Sequence, residues 1–247
     1  LESTYGDREH CRESTYKDLI QSIQKTKERG GVLLIPAFAV ARTQVIIQML
    51  ANLFSQSADF KLPIFVDSPM GVKATHMYEE YIDWLKIDST EFQEAIKQVK
   101  LIEFGRDSKK LAKQRAPFVL ISSSGMLSGG RVMKYLQMYG HHDKNTILLT
   151  GYQGDSTIGQ LLVLGQRDIV LNGKPFHVKA NIFQINGLSA HADRIGLKNY
   201  STASPQLKKI FLNHGEDNVV DSFKTYLKNY LNPKVDIEAV VINQEYE

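Results

Sequence analysis

Short apolar runs alternate with amphipathic stretches through most of the first 165 residues. Runs typical of buried strands cover Val32–Ile35, Pro63–Val66, Val99–Phe104, Phe118–Ile121 and Thr146–Leu149. Helical spacing predicts helices over residues 13–29, Val40–Phe54, Gly71–Leu85, Asp107–Gln114, Ser128–Tyr139 and Thr157–Leu164. The buried stripe of the second helix is predicted to comprise Val45, Met49, Leu50 and Leu53. Strands separated by helices predict a largely parallel sheet that is covered on both faces.

The pattern changes after about residue 165. Strands are predicted over Ile169–Leu171, Val178–Ile185, Lys209–Leu212 and Ile237–Ile242, with helices near 192–201 and 217–230. The pair Asn172-Gly173 favours a hairpin between the first two of these strands. The chain is therefore predicted to be a doubly wound α/β insert, over about 8–188, flanked by pieces of a second domain.

Composition narrows the class of protein. The 43% of hydrophobic and 23% of charged residues are typical of a soluble globular protein. No apolar run approaches the roughly 20 residues that a membrane helix needs, so no membrane partner is expected. The single cysteine, Cys11, excludes an internal disulfide and a cysteine-based zinc site, and it favours the cytoplasm. The net charge of +3 permits an anionic partner without requiring one.

Two histidines directly follow predicted strands. One lies in Ser189-Ala190-His191-Ala192-Asp193-Arg194, and the other lies in Leu212-Asn213-His214-Gly215-Glu216. Imidazoles at strand ends are well placed to reach one cleft, where they suit zinc binding and proton transfer near neutral pH. Each could instead cap its own loop by hydrogen bonding. A zinc site needs three or four ligands, and the spacing alone does not supply them.

Three further strand ends carry polar or charged residues. In Ile121–Arg131, hydroxyls and glycines precede a helix predicted to begin near Ser128, which is the pattern of an anion site. The alternative is a tight glycine turn with serine capping only. Pro36–Arg42 ends another strand, where Arg42 faces either a phosphate or solvent. Asp67–Gly71 follows a third strand and need only cap the next helix.

Taken in order, these segments resemble the β-CASP family of metallo-β-lactamase-fold nucleases. Glu2-Ser3-Thr4-Tyr5-Gly6 resembles the family's motif A, Ser189-Ala190-His191 resembles motif B, and Leu212–Glu216 resembles motif C. The stretch 123–131 and Gly151-Tyr152-Gln153 match bacterial and archaeal members, and they are similar to the endonuclease subunit of the pre-mRNA cleavage machinery. The resemblance spans nearly the whole chain.

The resemblance implies a role for each matching residue. His214 would bind one zinc ion, and His191 would lie beside the scissile phosphate as a proton donor or a phosphate contact. Glu2 would hydrogen-bond His191 and fix its tautomer. The expected contacts to substrate phosphate or RNA are Ser123, Ser124, Gly125, Arg131 and Arg42. The implied activity is RNA cleavage, with two zinc ions stabilising the incoming and departing oxygens.

The same resemblance implies the architecture. A Rossmann-like parallel-sheet β-CASP domain is expected over 8–188. Residues 1–7 and 189–247 are expected to belong to a metallo-β-lactamase αββα sandwich. The family's His-x-His-x-Asp-His motif, a further histidine ligand and a bridging aspartate lie upstream of motif A and are not in this sequence. We therefore expect a fragment that binds zinc poorly by itself and does not cleave RNA.

Two other functions stay open. A non-catalytic RNA-binding or scaffold paralogue would have lost metal residues, whereas retention of Glu2, His191 and His214 favours the nuclease. A hydrolase of small esters or thioesters is the other option, and the large inserted domain argues against it because such a lid suits a polymer. RNA rather than DNA follows from the resemblance alone. The expected partners are single-stranded RNA, the absent N-terminal half and, as one option, a second copy in a homodimer.

Overall fold

A computed structural model of the chain describes residues 1–10, 12–185 and 187–246, and for residues 12 and 13 the backbone only. The interpretation of Cys11 therefore falls outside the described residues. The chain forms two compact units, of which one combines residues 1–11 with 189–247 and the other is Arg12–Leu188. Across the described ranges, no helix combines the length and the apolar character needed to span a membrane.

The Arg12–Leu188 unit alternates strands and helices. Its helices are α1 (Arg12–Glu28), α2 (Arg42–Gln56), α3 (Pro69–Glu80), α4 (Ser89–Lys97), α5 (Gly105–Leu111), α6 (Val132–Tyr139) and α7 (Ile158–Val163). Its strands are β1 (Val32–Pro36), β2 (Ile64–Val66), β3 (Val99–Leu101), β4 (Phe118–Ser122), β5 (Thr146–Thr150), β6 (Asp168–Leu171), β7 (Lys174–His177) and β8 (Asn181–Ile185). Short 3₁₀ turns occupy Ala58–Phe60 and Ile82–Trp84.

Six of these strands form one parallel sheet in the order β3-β2-β4-β1-β5-β8. Every residue of β1, β4 and β5 is buried, as expected for strands covered on both faces. On one face, Ile35 packs in a cluster with Leu50 of α2; on the other, Leu34 packs with Leu136 of α6. The predicted parallel α/β fold is thus confirmed.

The order of the strands places a crevice at the carboxyl edge of this sheet. From β1 the chain crosses to β2 on one side, and from β4 it crosses back past β1 to β5 on the other. The loops after β1 and β4 therefore leave towards opposite faces, and such a switch point is where open α/β sheets bind ligands. Residues 37–41 and 123–131 form these two loops.

The predicted hairpin at Asn172-Gly173 is present, but its second strand differs. Strand β6 pairs antiparallel with β7, and both turn residues have positive φ (51° and 75°), as a type I′ turn requires. The predicted strand Val178–Ile185 is only partly right. Its second half is β8, which joins the six-stranded sheet beside β5.

The helix predictions differ from the structure in three places. Val45 is 42% exposed, and the inner face of α2 instead uses Ile46 and Ile47 with Met49, Leu50 and Leu53. The helix predicted from Ser128 begins only at Val132, because positive φ values at Leu127 and Gly130 keep the preceding loop out of helical geometry. Helix α4 was not predicted, although the Asp88 side chain accepts from the Glu91 amide as a helix cap.

The smaller unit contains α8 (Arg194–Thr202), β9 (Lys209–Leu212), α9 (Asp217–Leu227) and β10 (Asp236–Ala239). Strands β9 and β10 pair in parallel, and a core that includes Leu197, Leu212 and Phe223 forms between them and the helices. Residues 1 and 2 run along the far edge of β9: the Leu1 backbone nitrogen donates to Phe211 O at 2.7 Å, and Glu2 forms a parallel bridge with Asn213. An apolar groove of about 500 Å³ lies beside this edge.

Candidate active site

Close packing of two backbone segments brings motif A to motif C. The Ser3 amide donates to His214 O at 3.3 Å. A Cβ on Gly215 would lie 3.0 Å from Ser3 O and 3.1 Å from Ser3 C, so a side chain there would push the segments apart. His214 itself has a φ of 50°, a left-handed conformation that is uncommon for a residue with a side chain. Because Gly215 has no side chain, residues 2–4 can pass close enough to reach the imidazole of His214.

A separate set of hydrogen bonds positions His191. Its amide donates to Ser189 Oγ at 3.1 Å, and its carbonyl accepts from His10 Nε2–H at 3.3 Å. Asp193 caps α8 by accepting from the Gly196 amide at 2.8 Å, and its other oxygen accepts from the His10 amide at 3.1 Å. The Gly196 amide, with that of His10, holds the pKa of Asp193 below its ordinary value although burial opposes this.

The structure brings Glu2, His191 and His214 together. Glu2 Oε1 lies 3.2 Å from His191 Nδ1, and the two imidazole centroids are 5.3 Å apart with 26° between their planes. One potential ligand atom from each of the three residues lies within 4.8 Å of the others. Elsewhere in the part of the chain that the structure describes, no other such group of three histidine, cysteine or acidic residues occurs.

Thr4 joins the two imidazoles and was not predicted as a site residue. Its hydroxyl lies 3.0 Å from His214 Nδ1, 3.5 Å from His191 Nδ1 and 3.1 Å from His214 O. The hydroxyl has one proton, and the carbonyl can only accept it. The arrangement that satisfies all groups has Thr4 donating to that carbonyl while it accepts from His214 Nδ1–H. This leaves Nε2 of His214 unprotonated, which is the form that binds a metal.

The carboxylate of Glu2 is held in its charged form. Partial burial alone raises its pKa, but its interactions with Thr4 and the neighbouring His191 outweigh burial and lower the pKa overall. The Thr4 amide donates to Oε2 at 2.9 Å, and Oε1 faces His191 Nδ1. The ring of His191 is thereby anchored on one side by an anion. Its side chain remains 42% exposed.

These three residues fit a zinc site, but they are not equally available as zinc ligands. Two histidines and a glutamate match the composition of a three-ligand zinc site. However, both oxygens of Glu2 already accept hydrogen bonds, and Nδ1 of each imidazole faces Glu2 or Thr4. Glu2 and Thr4 therefore orient the rings as outer partners of a metal site do. His214 Nε2 is the nitrogen that this arrangement leaves as a ligand.

The predicted phosphate contacts lie in the other unit, on loops at the carboxyl edge of its sheet and, for Arg42, at the first residue of α2. Gly125 packs against the backbone of Phe38, and the Arg42 guanidinium lies near Gly151. Ser123 Oγ is 2.5 Å from Ser68 Oγ, so the Ser123 hydroxyl already has a hydrogen-bond partner within this unit. Likewise, Ser124 Oγ lies 3.0 Å from the Ser128 hydroxyl.

Arg131 forms an ion pair with a buried carboxylate, and this pair was not predicted from the sequence. Its guanidinium contacts the carboxylate of Asp67, which is fully buried, and Tyr135 donates to the other carboxylate oxygen. Burial, with this hydrogen bond to Asp67, raises the pKa of the Tyr135 hydroxyl well above its ordinary value. The contact with Asp67 uses one of the five N–H groups that the Arg131 guanidinium carries. The side chain is 28% exposed.

Two family descriptions match the chain in sequence. Residues 43–162 match the Beta-Casp domain. Residues 175–240 match the Zn-dependent metallo-hydrolase RNA specificity domain.

Several curated proteins are similar over most of the chain. An RNase J-like protein of Methanocaldococcus jannaschii is 32% identical over 87% of this chain and 51% of its own length. Transcription termination factor FttA of Thermococcus kodakarensis is 32% identical over 87% of the chain and 36% of its own length. Integrator complex subunit 11 of Gallus gallus is 30% identical over 90% and 37%. The chain thus spans about half, or less, of the length of these relatives.

Proposed function

Because this chain belongs to the β-CASP family of metallo-β-lactamase-fold proteins, we propose that it is part of a zinc-dependent hydrolase that cleaves RNA phosphodiester bonds. The observation that carries the proposal is the pairing of Glu2 with His191 at 3.2 Å beside a His214 whose Nδ1 is bonded to Thr4. Both rings are fixed through Nδ1, which leaves both Nε2 atoms for chemistry.

In this proposal, His191 is the proton donor. Glu2 accepts from Nδ1–H and stabilises the imidazolium by its charge, while Nε2–H faces the leaving oxygen of the cleaved phosphodiester. The partial exposure of the His191 side chain leaves room for that phosphate to approach. General acid catalysis of this kind contributes typically about 10²- to 10⁴-fold in rate.

His214 is the residue of this chain that would hold zinc, through Nε2. Bound zinc supplies Lewis-acid stabilisation of the reacting phosphate oxygens. The remaining donors for two ions are proposed to come from a metallo-β-lactamase half outside these 247 residues. The apolar groove beside β9, lined by residues that include Leu1 and Phe211, supports a covering partner of that kind.

We assign the Arg12–Leu188 unit to the β-CASP domain, and residues 1–11 with 189–247 to the metallo-β-lactamase part. The boundary expected at residue 8 is thus moved to residue 12, because His10 contacts Asp193 and His191. The loop residues Ser123, Ser124 and Gly125, together with Arg42 and Arg131, are proposed to contact single-stranded RNA at the switch-point crevice. We also propose that the protein is cytoplasmic and that it forms a homodimer. Sedimentation of the full-length protein tests the dimer.

The test compares two histidine variants in the full-length protein. We expect His191→Ala to lose about 10²- to 10⁴-fold in turnover with zinc content retained, and His214→Ala to lose zinc itself. Equal zinc loss in both variants would contradict the two different roles. Binding of RNA without cleavage by the zinc-loaded protein would favour the non-catalytic scaffold instead.

A second test concerns the chain alone. Titrating zinc into the 247-residue chain in a calorimeter should give no tight stoichiometric heat, because one committed nitrogen ligand does not hold a dinuclear site. A one-to-one or two-to-one isotherm would refute this part of the proposal.

A further inference from the structure

The positive charge of the chain is concentrated in one short segment. Residues 104–115 contain five cations and one carboxylate, which gives a net charge of +4, whereas the whole chain has +3. The cations are Arg106, Lys109, Lys110, Lys113 and Arg115, and all are exposed. We call this surface the α5 basic face.

Helical geometry places most of these cations side by side. Arg106, Lys109 and Lys110 stand at positions i, i+3 and i+4 of α5, which share one face of a helix, and Lys113 and Arg115 follow in the segment just after the helix ends. The opposite face of α5 is buried through Leu111 and Ser108. Ser108 Oγ lies 3.1 Å from the Tyr135 hydroxyl, so α5 is fixed to α6 and the basic face points outward.

This arrangement carries an internal penalty. Like charges three or four residues apart on a helix repel each other and destabilise it. Asp107 offsets only part of the charge, through Lys110 at 3.0 Å and Arg106 at 3.8 Å. The side chains of Arg106 and Lys110 remain 77% and 79% exposed. A bound polyanion would relieve the repulsion.

An aromatic ring adjoins the same face. Phe104 is 56% exposed, and the Arg106 guanidinium carbon lies 5.1 Å from its ring centroid. Basic side chains along a backbone track, together with an exposed ring on which a base can stack, are the elements of non-specific binding to single-stranded nucleic acid. Neither a small anion nor a lipid headgroup needs the ring.

We propose that the α5 basic face, with Phe104, is an RNA-binding surface that holds the phosphate backbone of a single strand apart from the loops at the switch point. The segment follows β3, the edge strand of the six-stranded sheet, and thus begins at the carboxyl edge. The inference rests on the proposed function for the choice of RNA as the polyanion. It extends that function by assigning a new contact surface.

The test uses charge-matched triple variants of the full-length protein in a His191→Ala background, which prevents cleavage during binding. The test variant is Lys109→Gln/Lys113→Gln/Arg115→Gln. The control, Lys17→Gln/Lys86→Gln/Lys228→Gln, removes three exposed cations elsewhere. Binding of a labelled oligouridylate is measured between about 50 and 200 mM salt, where phosphate contacts have a strong effect on affinity.

We expect the test variant to bind about 10- to 100-fold more weakly at 0.1 M salt, with a salt slope lower by about 2, because each lost phosphate contact removes roughly 0.7 from the slope. The control should retain the slope. Phe104→Ala should weaken binding about tenfold without changing the slope, since stacking is not ionic. In low salt, the free test variant should melt at the same or a higher temperature, because the repulsion among the cations is reduced.

Four outcomes would overturn the inference. Equal loss in test and control variants would mean that only overall charge matters. Polyglutamate competing as well as RNA through the same residues would indicate an acidic protein partner. Absence of salt-dependent RNA binding in the unsubstituted protein would defeat both this inference and the proposed function, whereas normal binding that the test variant retains would defeat this inference alone.

Discussion

Substitution of Thr4 by valine tests how the histidines are held. Valine keeps the β-branched shape but removes a hydroxyl that lies 3.0 Å from His214 Nδ1 and 3.1 Å from His214 O. Thr4 is only 8% exposed, so water does not readily replace the hydroxyl. A lost hydrogen bond is worth about 1 kcal/mol, and an unsatisfied buried group costs about 1–3 kcal/mol. We expect a loss of about 2 kcal/mol and a Tm lower by about 4–8 °C.

The functional effect should exceed the effect on stability. Without Thr4 the ring of His214 can rotate or change tautomer, and removal of an outer partner of this kind typically weakens metal binding about 10- to 100-fold. The assay is competition for zinc against a chromophoric chelator, with thermal unfolding in parallel, on the full-length protein. Thr4→Ser is the matched control because it restores the hydroxyl without the methyl group.

Two results would refute this reasoning. Unchanged zinc affinity in the valine variant, together with a lower Tm, would reduce Thr4 to a packing residue. Equally weak zinc binding in the serine variant would show that the methyl group matters and the hydroxyl does not.

Three further predictions follow from contacts elsewhere. Gly215→Ala should lower the unfolding free energy by about 1–3 kcal/mol and turnover by up to about 10²-fold, because its Cβ would lie 3.0 Å from Ser3 O. A variant that melts at the same temperature as the wild type would contradict this close approach. Glu2 has a lowered pKa, so its stabilisation is present above the ordinary value of 4.5 and is lost as the pH falls through the folded value. Glu2→Gln should thus be less stable than wild type at pH 7, by up to about 1 kcal/mol, and denaturation curves should converge in acid; a gap that persists there would exclude the carboxylate as its cause. Arg131→Gln should destabilise the protein by about 3–5 kcal/mol in denaturant titrations by leaving buried Asp67 unpaired, whereas a role confined to phosphate binding predicts no change.

Sequence patterns predicted the central sheet well because its strands are covered on both faces. A fully buried strand such as β1 or β4 must be apolar at every position, and this signal does not depend on distant residues. Helix starts were less predictable. The start of α6 depends on positive φ values at Leu127 and Gly130, and the phase of α2 placed Val45 outside rather than inside.

The candidate site was only partly visible in the sequence. Positions at strand ends indicated His191 and His214, and the family resemblance added Glu2 and its hydrogen bond to His191. The orientation of the His214 ring by Thr4 was not indicated. One signal was available: Thr4 is only two residues from Glu2, and its amide donates to Glu2 Oε2 at 2.9 Å. The pairing of Arg131 with Asp67 was out of reach, because it joins residues 64 positions apart through tertiary packing alone.

The orientation of the two imidazoles can be observed directly by nitrogen NMR. Long-range proton–nitrogen correlation spectra of histidine-labelled, zinc-free protein distinguish the protonated ring nitrogen from the bare one. The account predicts that His214 carries its proton on Nδ1, next to Thr4, and that His191 is protonated on the Nδ1 facing Glu2. A spectrum in which His214 carries its proton on Nε2 would contradict the account, since the bare nitrogen would then be Nδ1, which faces Thr4.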